Sequence, residues 1–126
     1  MENIHKEILG LMGKIDINCR EEQGIIVIDL AGQLDVYNSG DIAKIVDAFI
    51  ARGFSKFAVN LEKVTYLDSS TISAFITCFQ KLSKAEGRFL LTNLTGAPLE
   101  VFTMAKLHDV LEVKEYIDDA FDALLD

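Results

Sequence analysis

The chain has no tryptophan, one proline and only two cysteines in 126 residues. Cys19 and Cys78 stand too far apart in sequence for metal-ligand spacing, and two thiols make no disulfide framework. Each falls on an apolar face of an expected element, where a reduced, buried thiol is common; the cytoplasm is the expected compartment. No apolar run approaches the roughly 20 residues a membrane span requires. The start, Met1-Glu2-Asn3-Ile4-His5-Lys6-Glu7, lacks a cationic stretch followed by an apolar one, so no signal peptide is expected. Basic residues number 12 against 20 acidic ones, a net charge of −8. That sign provides no basic face for a phosphate backbone and disfavours a direct hold on anionic lipid. Catalytic signatures are missing as well: no Gly-rich phosphate loop, no Gly-x-Ser-x-Gly elbow, no His-Glu-x-x-His. The two histidines, His5 and His108, sit in a terminal segment and near a helix end, with no nucleophile placed beside them. Asp118, Asp119, Asp122 and Asp126 surround one short helix, where early carboxylates meet the helix dipole favourably. A solvated face accounts for them without a cation. The expectation is a non-enzyme with no cofactor and no metal.

What is present is an ordinary globular composition, half hydrophobic and a quarter charged, of a length for one domain with one substantial core. Residues 1–14 place Ile4, Ile8, Leu11 and Met12 on one side of a short helical pattern that Gly10 and Gly13 weaken. They are either a frayed N-terminal extension or an apolar stripe for a partner or for dimerisation. The domain proper then covers 15–126. Ile15-Asp16-Ile17-Asn18-Cys19 alternates as a strand with one wet face. Glu21-Glu22-Gln23-Gly24 is a turn, and Ile25-Ile26-Val27-Ile28-Asp29-Leu30 returns as an antiparallel, more buried strand. Residues 32–40 form a loop, with Asn38 or Ser39 as the next N-cap and Asp41 completing a near capping box behind Asn38. Ile42, Ile45, Val46, Phe49 and Ile50 make a 3.6-period stripe that Gly53 stops. Later come a strand at 89–94, a helix opening at Thr95-Gly96-Ala97-Pro98 with Leu99, Phe102 and Ala105 inward, and a short edge strand near 110–113. A closing amphipathic helix carries Ile117, Ala120, Phe121, Leu124 and Leu125. Strands alternating with helices of this length imply an α/β fold: a mostly parallel sheet of four or five strands, an N-terminal antiparallel hairpin and about four helices.

Residues 56–87 carry the chemistry. Phe57-Ala58-Val59-Asn60-Leu61 is a buried strand, and Ile72, Phe75, Ile76, Phe79 and Leu82 stripe the helix that follows. Between them, Asp68 occupies an N-cap position from which its carboxylate can accept the amide protons of Ser70 or Thr71. Ser69 and Ser70 then fall in the first turn, with hydroxyls and free N–H groups facing out at the carboxyl end of the strand, the ligand-binding side of open α/β sheets. A polar helix cap is the plainest account of Asp-Ser-Ser-Thr taken alone.

The wider pattern, an apolar strand, Val64-Thr65-Tyr66-Leu67-Asp68-Ser69-Ser70 and an apolar-striped helix, resembles the STAS domain of bacterial anti-sigma factor antagonists. Gly32-Gln33-Leu34-Asp35, Leu91-Thr92-Asn93-Leu94, and Val101-Phe102 with Leu107 extend the resemblance over nearly the whole of 15–125. The family commonly has glycine at the positions held here by Thr71 and Ser73, and often at Lys106; Thr71 is expected to add bulk beside Ser70. The resemblance implies that Ser70 is phosphorylated by a partner kinase. It also implies a partner surface of Asp35, Asn38, Ser39, Asp68, Ser69, Ser70 and Thr71, with Asn93 bordering the same face. For Asp35 a turn residue bonding its own backbone is an equal account. The implied partners are a serine-kinase anti-sigma factor, a GHKL-type ATPase, and a PP2C-type serine phosphatase. The same domain also occurs as an adaptor subunit of lipid-transport ABC complexes and as a scaffold subunit of stress-signalling assemblies, which stand as alternatives.

Overall fold

The computed structural model describes residues 16–126; the expected extension and its apolar stripe lie outside the described residues. The order is β1 (Asp16–Glu22), β2 (Ile25–Leu34), α1 (Ser39–Ala51), β3 (Lys56–Leu67), α2 (Ser69–Lys84), β4 (Arg88–Thr92), α3 (Gly96–Met104), a 3-10 turn (Leu107–Asp109), β5 (Glu112–Lys114) and α4 (Ile117–Leu125). The five strands lie in sequence order in one sheet. β1 and β2 are antiparallel, and β2, β3, β4 and β5 are mutually parallel. This is the expected α/β architecture.

Alternation along the strands divides the core in two. Ile26, Ile28, Phe57, Val59, Phe89 and Leu91 face α1, α2 and α3 and form the larger core with Ile42, Ile45, Phe49, Phe75, Leu82 and Phe102. Ile25, Val27, Ala58 and Leu90 face the other way, against Ala120 and Leu124 of α4. Phe49 meets Phe57 edge-on at 6.4 Å between ring centroids and Phe54 at 5.8 Å, geometries that suit the ring quadrupoles. Burial raises the Cys19 and Cys78 thiols to about 12, helped by the nearby carboxylates of Asp29 and Asp47 respectively. Both stay protonated and unreactive at neutral pH.

Several boundaries differ from the sequence expectation. The hairpin turn narrows to Gln23-Gly24, both with positive φ (55° and 82°), while Glu21 and Glu22 remain in the strand. A two-residue turn of that hand matches the twist of its strands. β2 runs on through Gly32, Gln33 and Leu34, and β3 through Val64, Thr65, Tyr66 and Leu67, beyond the strand ends expected at Leu30 and Leu61. The pairing register shifts twice, between Asp29 and Ala31 and between Gly32 and Gln33. Two such irregularities let β3 fit its extra residues into the ladder and curl. The capping box at Asn38 does not form: Asn38 caps α1 by position only, and its side chain is bonded elsewhere. On α3 the inward residues are Pro98 and Phe102, with Val101 partly buried. Leu99 and Ala105 are exposed, because the helix is rotated to seat Phe102.

Two close constraints lie at helix ends. Gly87 donates its N–H to the Leu82 carbonyl at 2.6 Å, and a Cβ there would press into the Ser55 carbonyl oxygen and lie 2.9 Å from Leu82 Cδ2. Lys106, after α3, holds a left-handed φ of 55°. Gly87→Ala is expected to cost about 1–3 kcal/mol through that overlap. Lys106→Gly is expected to stabilise by about 0.5–1 kcal/mol, since the strain relieved exceeds the added chain entropy. Denaturant unfolding of the two variants beside wild type checks both signs.

Candidate functional site

The pairing of Leu34 with Leu67 brings the ends of two neighbouring parallel strands level, and the Asp68 N–H donates to the Leu34 carbonyl at 3.2 Å. The loop after β2 and the turn before α2 therefore emerge side by side at the carboxyl edge of the sheet. This is the carboxyl-end side of the sheet, the side on which open α/β folds bind ligands.

Asp68 is the N-cap of α2, in extended conformation. One of its oxygens, Oδ1, accepts from the Ser70 N–H at 3.0 Å, the Ser70 hydroxyl at 2.5 Å, the Thr71 N–H at 3.2 Å and the Thr71 hydroxyl at 3.4 Å. The Ser70 hydroxyl does most to hold the carboxyl below its ordinary value of 3.8, with the two amides and the Thr71 hydroxyl adding to it. The expected capping by Asp68 is present, so the Ser70 N–H expected to be free is engaged, and the Ser70 hydroxyl proton expected to face out points to Asp68 instead. With its proton so engaged, the Ser70 oxygen keeps its lone pairs for an incoming group. Ser69 is exposed and Ser70 half-buried. Thr71 does not crowd Ser70 from outside, because its side chain is fully buried (0%). The larger core absorbs it at the position that leads to Phe75, Cys78 and Leu82.

The other loop is tied internally. The Asp35 N–H donates to Asn38 Oδ1 at 2.9 Å, the Asn38 amide donates to the Gln33 carbonyl at 2.9 Å, and the Tyr37 N–H donates to Asp35 Oδ1 at 2.9 Å. The Ser39 N–H reaches the Asp35 carbonyl at 2.9 Å, and Ser39 itself is buried. Asp35 and Asn38 thus act through the loop's shape. What they present is Val36 and Tyr37, 65% and 91% exposed, with Tyr66 (49%) on the adjacent strand. Val36 and Tyr37 fall within the loop 35–39 that the resemblance implies as partner surface, whereas Tyr66 lies outside that expectation. The sequence signal for the loop pair is that two apolar residues lodged between turn-formers have no core to enter.

Asn93 is not gathered with Ser70. It has a left-handed φ of 57°, and its amide donates to Asn60 Oδ1 at 2.9 Å, while the Asn60 amide donates to Asp29 Oδ1 at 2.9 Å. Arg20 joins the same Asp29 at 3.0 Å. By strand alternation with Val27 and Ala58, this ladder lies on the face away from α2.

Comparison with known proteins agrees with this fold. The model of the STAS domain matches residues 16–120, and the chain belongs to the STAS domain family. An anti-sigma-B factor antagonist of Bacillus subtilis is 23% identical over 99 residues, covering 79% of this chain and 90% of that protein. The crystal structure of an anti-sigma factor antagonist from Mycobacterium paratuberculosis superposes with a TM-score of 0.80 at 20% identity, over 90% of this chain and 96% of that one. The Bacillus cell fate determinant SpoIIAA in its phosphorylated form gives 0.66 at 22% identity, over 86% and 98%. The curated relatives are thus regulatory anti-sigma factor antagonists, and among the described residues no helix is long and apolar enough to cross a membrane.

Because the folded Asp68 carboxyl titrates below its ordinary value, its stabilisation is fully present above pH 3.8 and is lost as pH falls through the lowered value. Thermal melts from pH 2 to 7 should show Asp68→Ala less stable than wild type at neutral pH, the gap closing at the acid end. Ser70→Ala, which removes the largest support of that charge, should move the acid limb of the profile toward higher pH.

Proposed function

We propose that this chain is an anti-sigma factor antagonist switched by phosphorylation of Ser70. Unphosphorylated, it captures a serine-kinase anti-sigma factor of the GHKL ATPase class and frees the sigma factor. Phosphorylated by that kinase from ATP, it lets go, and a PP2C-type phosphatase resets it. The observation that carries this reading is the Ser70 hydroxyl, held by Asp68 at 2.5 Å at the rim of a surface that exposes Val36, Tyr37 and Tyr66. A phosphate adds about −1.5 to −2 charge. At a helix N-terminus the dipole tolerates that charge, so the cost falls on the complex, where a dianion must be desolvated against the partner. A penalty of about 4 kcal/mol lowers affinity roughly a thousandfold.

The aromatic side chain with most to bury is Tyr37. Tyrosines at the centre of an interface often contribute 2 kcal/mol or more, so Tyr37→Ala is expected to weaken capture about 30-fold with the melting temperature unchanged. Affinity capture from native lysate with wild-type, Ser70→Asp and Tyr37→Ala baits, read by mass spectrometry and isothermal titration, tests the proposal. Wild type should retain an ATP-binding serine kinase that Ser70→Asp does not. Equal retention of transporter subunits by wild type and Ser70→Asp would sink the switch and make the domain an adaptor.

A further inference from the structure

We propose that the Thr71 hydroxyl is a reserve donor that keeps the Asp68 turn closed once Ser70 is phosphorylated. The inference rests on the switch proposed above and concerns how the fold survives it.

Four donors converge on Asp68 Oδ1. A carboxylate oxygen offers about two lone-pair sites, so the four cannot all make short bonds. The Ser70 hydroxyl takes the best position at 2.5 Å, and the Thr71 hydroxyl is left the longest contact at 3.4 Å. That length reflects competition, because a fully buried hydroxyl needs a partner, and Asp68 is the one polar partner of Thr71 Oγ1 among the described residues.

Phosphorylation removes the winner. The bond from ATP's γ-phosphorus to its bridging oxygen breaks, ADP leaves, the Ser70 oxygen bonds to phosphorus, and its proton passes to a base of the kinase. Ser70 Oγ is then an ester oxygen with nothing to donate. Asp68 loses its shortest bond and gains a dianion as neighbour, and both changes favour opening of the turn. The two amides remain, and the position on Oδ1 is vacant. Thr71 Oγ1, at 3.4 Å from Oδ1, has about 0.6 Å to close to reach the common O–H···O distance of about 2.8 Å. Because its side chain is fully enclosed, it closes on Oδ1 without taking a new partner from water. The unphosphorylated chain has little use for this hydroxyl; the phosphorylated chain depends on it.

The test installs phosphoserine at position 70 by genetic code expansion, so no kinase is required. Wild type, Thr71→Val and Thr71→Ser are each made with serine and with phosphoserine at position 70, with Thr71→Ala as a second hydroxyl-free variant should valine misfold. Two readouts are taken: thermal melts, and the titration of the Asp68 carboxyl carbon by 13C NMR. Phosphorylation should lower the melting temperature by about 3 °C more in Thr71→Val than in wild type. It should also raise the Asp68 midpoint further in that variant, with Thr71→Ser restoring wild-type behaviour in both. Equal effects of Thr71→Val on the serine and phosphoserine chains would make the hydroxyl a plain packing group and overturn the proposal. Failure of the switch itself shows separately, in the capture experiment, where Ser70→Asp would retain the same partners as wild type.

Discussion

The parallel pairing of β2 with β3 is the constraint on which the molecule depends. It joins the antiparallel hairpin to the parallel part of the sheet, and its register ends with Leu34 opposite Leu67. Everything at the site follows from those strands finishing level. The Asp68 N–H can then reach the Leu34 carbonyl, and two loops remote in sequence become one surface. The two register shifts are part of the same device. β3 carries more residues than its partner across this stretch, and a regular ladder would deliver Asp68 past the loop it must sit beside.

How much of this the sequence disclosed depends on the range of the forces involved. Local rules were legible. Asp68 caps α2 as its position before an apolar-striped helix implies, and Gly53 ends α1 with a left-handed φ of 95°. The antiparallel hairpin and the parallel sense of the later strands followed from the short first connection and from the alternation of strands and helices. Long-range register was not legible, since no local pattern at Gly32 or Val64 announces that the two will pair. Gln33 and Tyr66 look like turn residues in sequence and are strand residues only because each has the other opposite. The same blindness explains Thr71. A threonine after two serines reads as polar surface, yet the pitch of α2 carries it into line with Phe75, Cys78 and Leu82. Asn93 fails for a related reason: its sequence position marks the end of β4, but the side chain follows the Asn60–Asp29 ladder to the opposite face.

Order in the two loops bears directly on how a charge can act there. The loop after β2 ties Asp35 and Asn38 to each other and to Gln33, so Val36 and Tyr37 are presented at little further entropic cost on binding. The turn before α2 is ordered by one carboxylate oxygen. In the proposed switch, the phosphate enters a surface that is already formed, and its free energy has little local structure to rearrange. It is expressed instead in whatever the surface meets. A disordered loop would divide the same free energy between ordering the chain and opposing the partner, and the discrimination between the two states would shrink accordingly.

That economy places an unusual demand on Asp68. The carboxylate caps α2 best as an anion, yet in the proposed phosphorylated state it shares its neighbourhood with a second, larger anion. Its lowered titration reflects four donors, and the strongest is the one that the proposed phosphorylation would remove. A cap built on the serine alone would therefore weaken whenever the switch is thrown, and the change would spread into α2. Donors that do not depend on Ser70's proton, the amides of Ser70 and Thr71 and the enclosed Thr71 hydroxyl, would separate the integrity of the helix from the state of the proposed switch. A glycine at position 71 would supply only the amide. In this chain the side chain at that position belongs at once to the core, through its burial, and to the site, through its hydroxyl, and this is the physical link between the stability of α2 and the chemistry at its first turn.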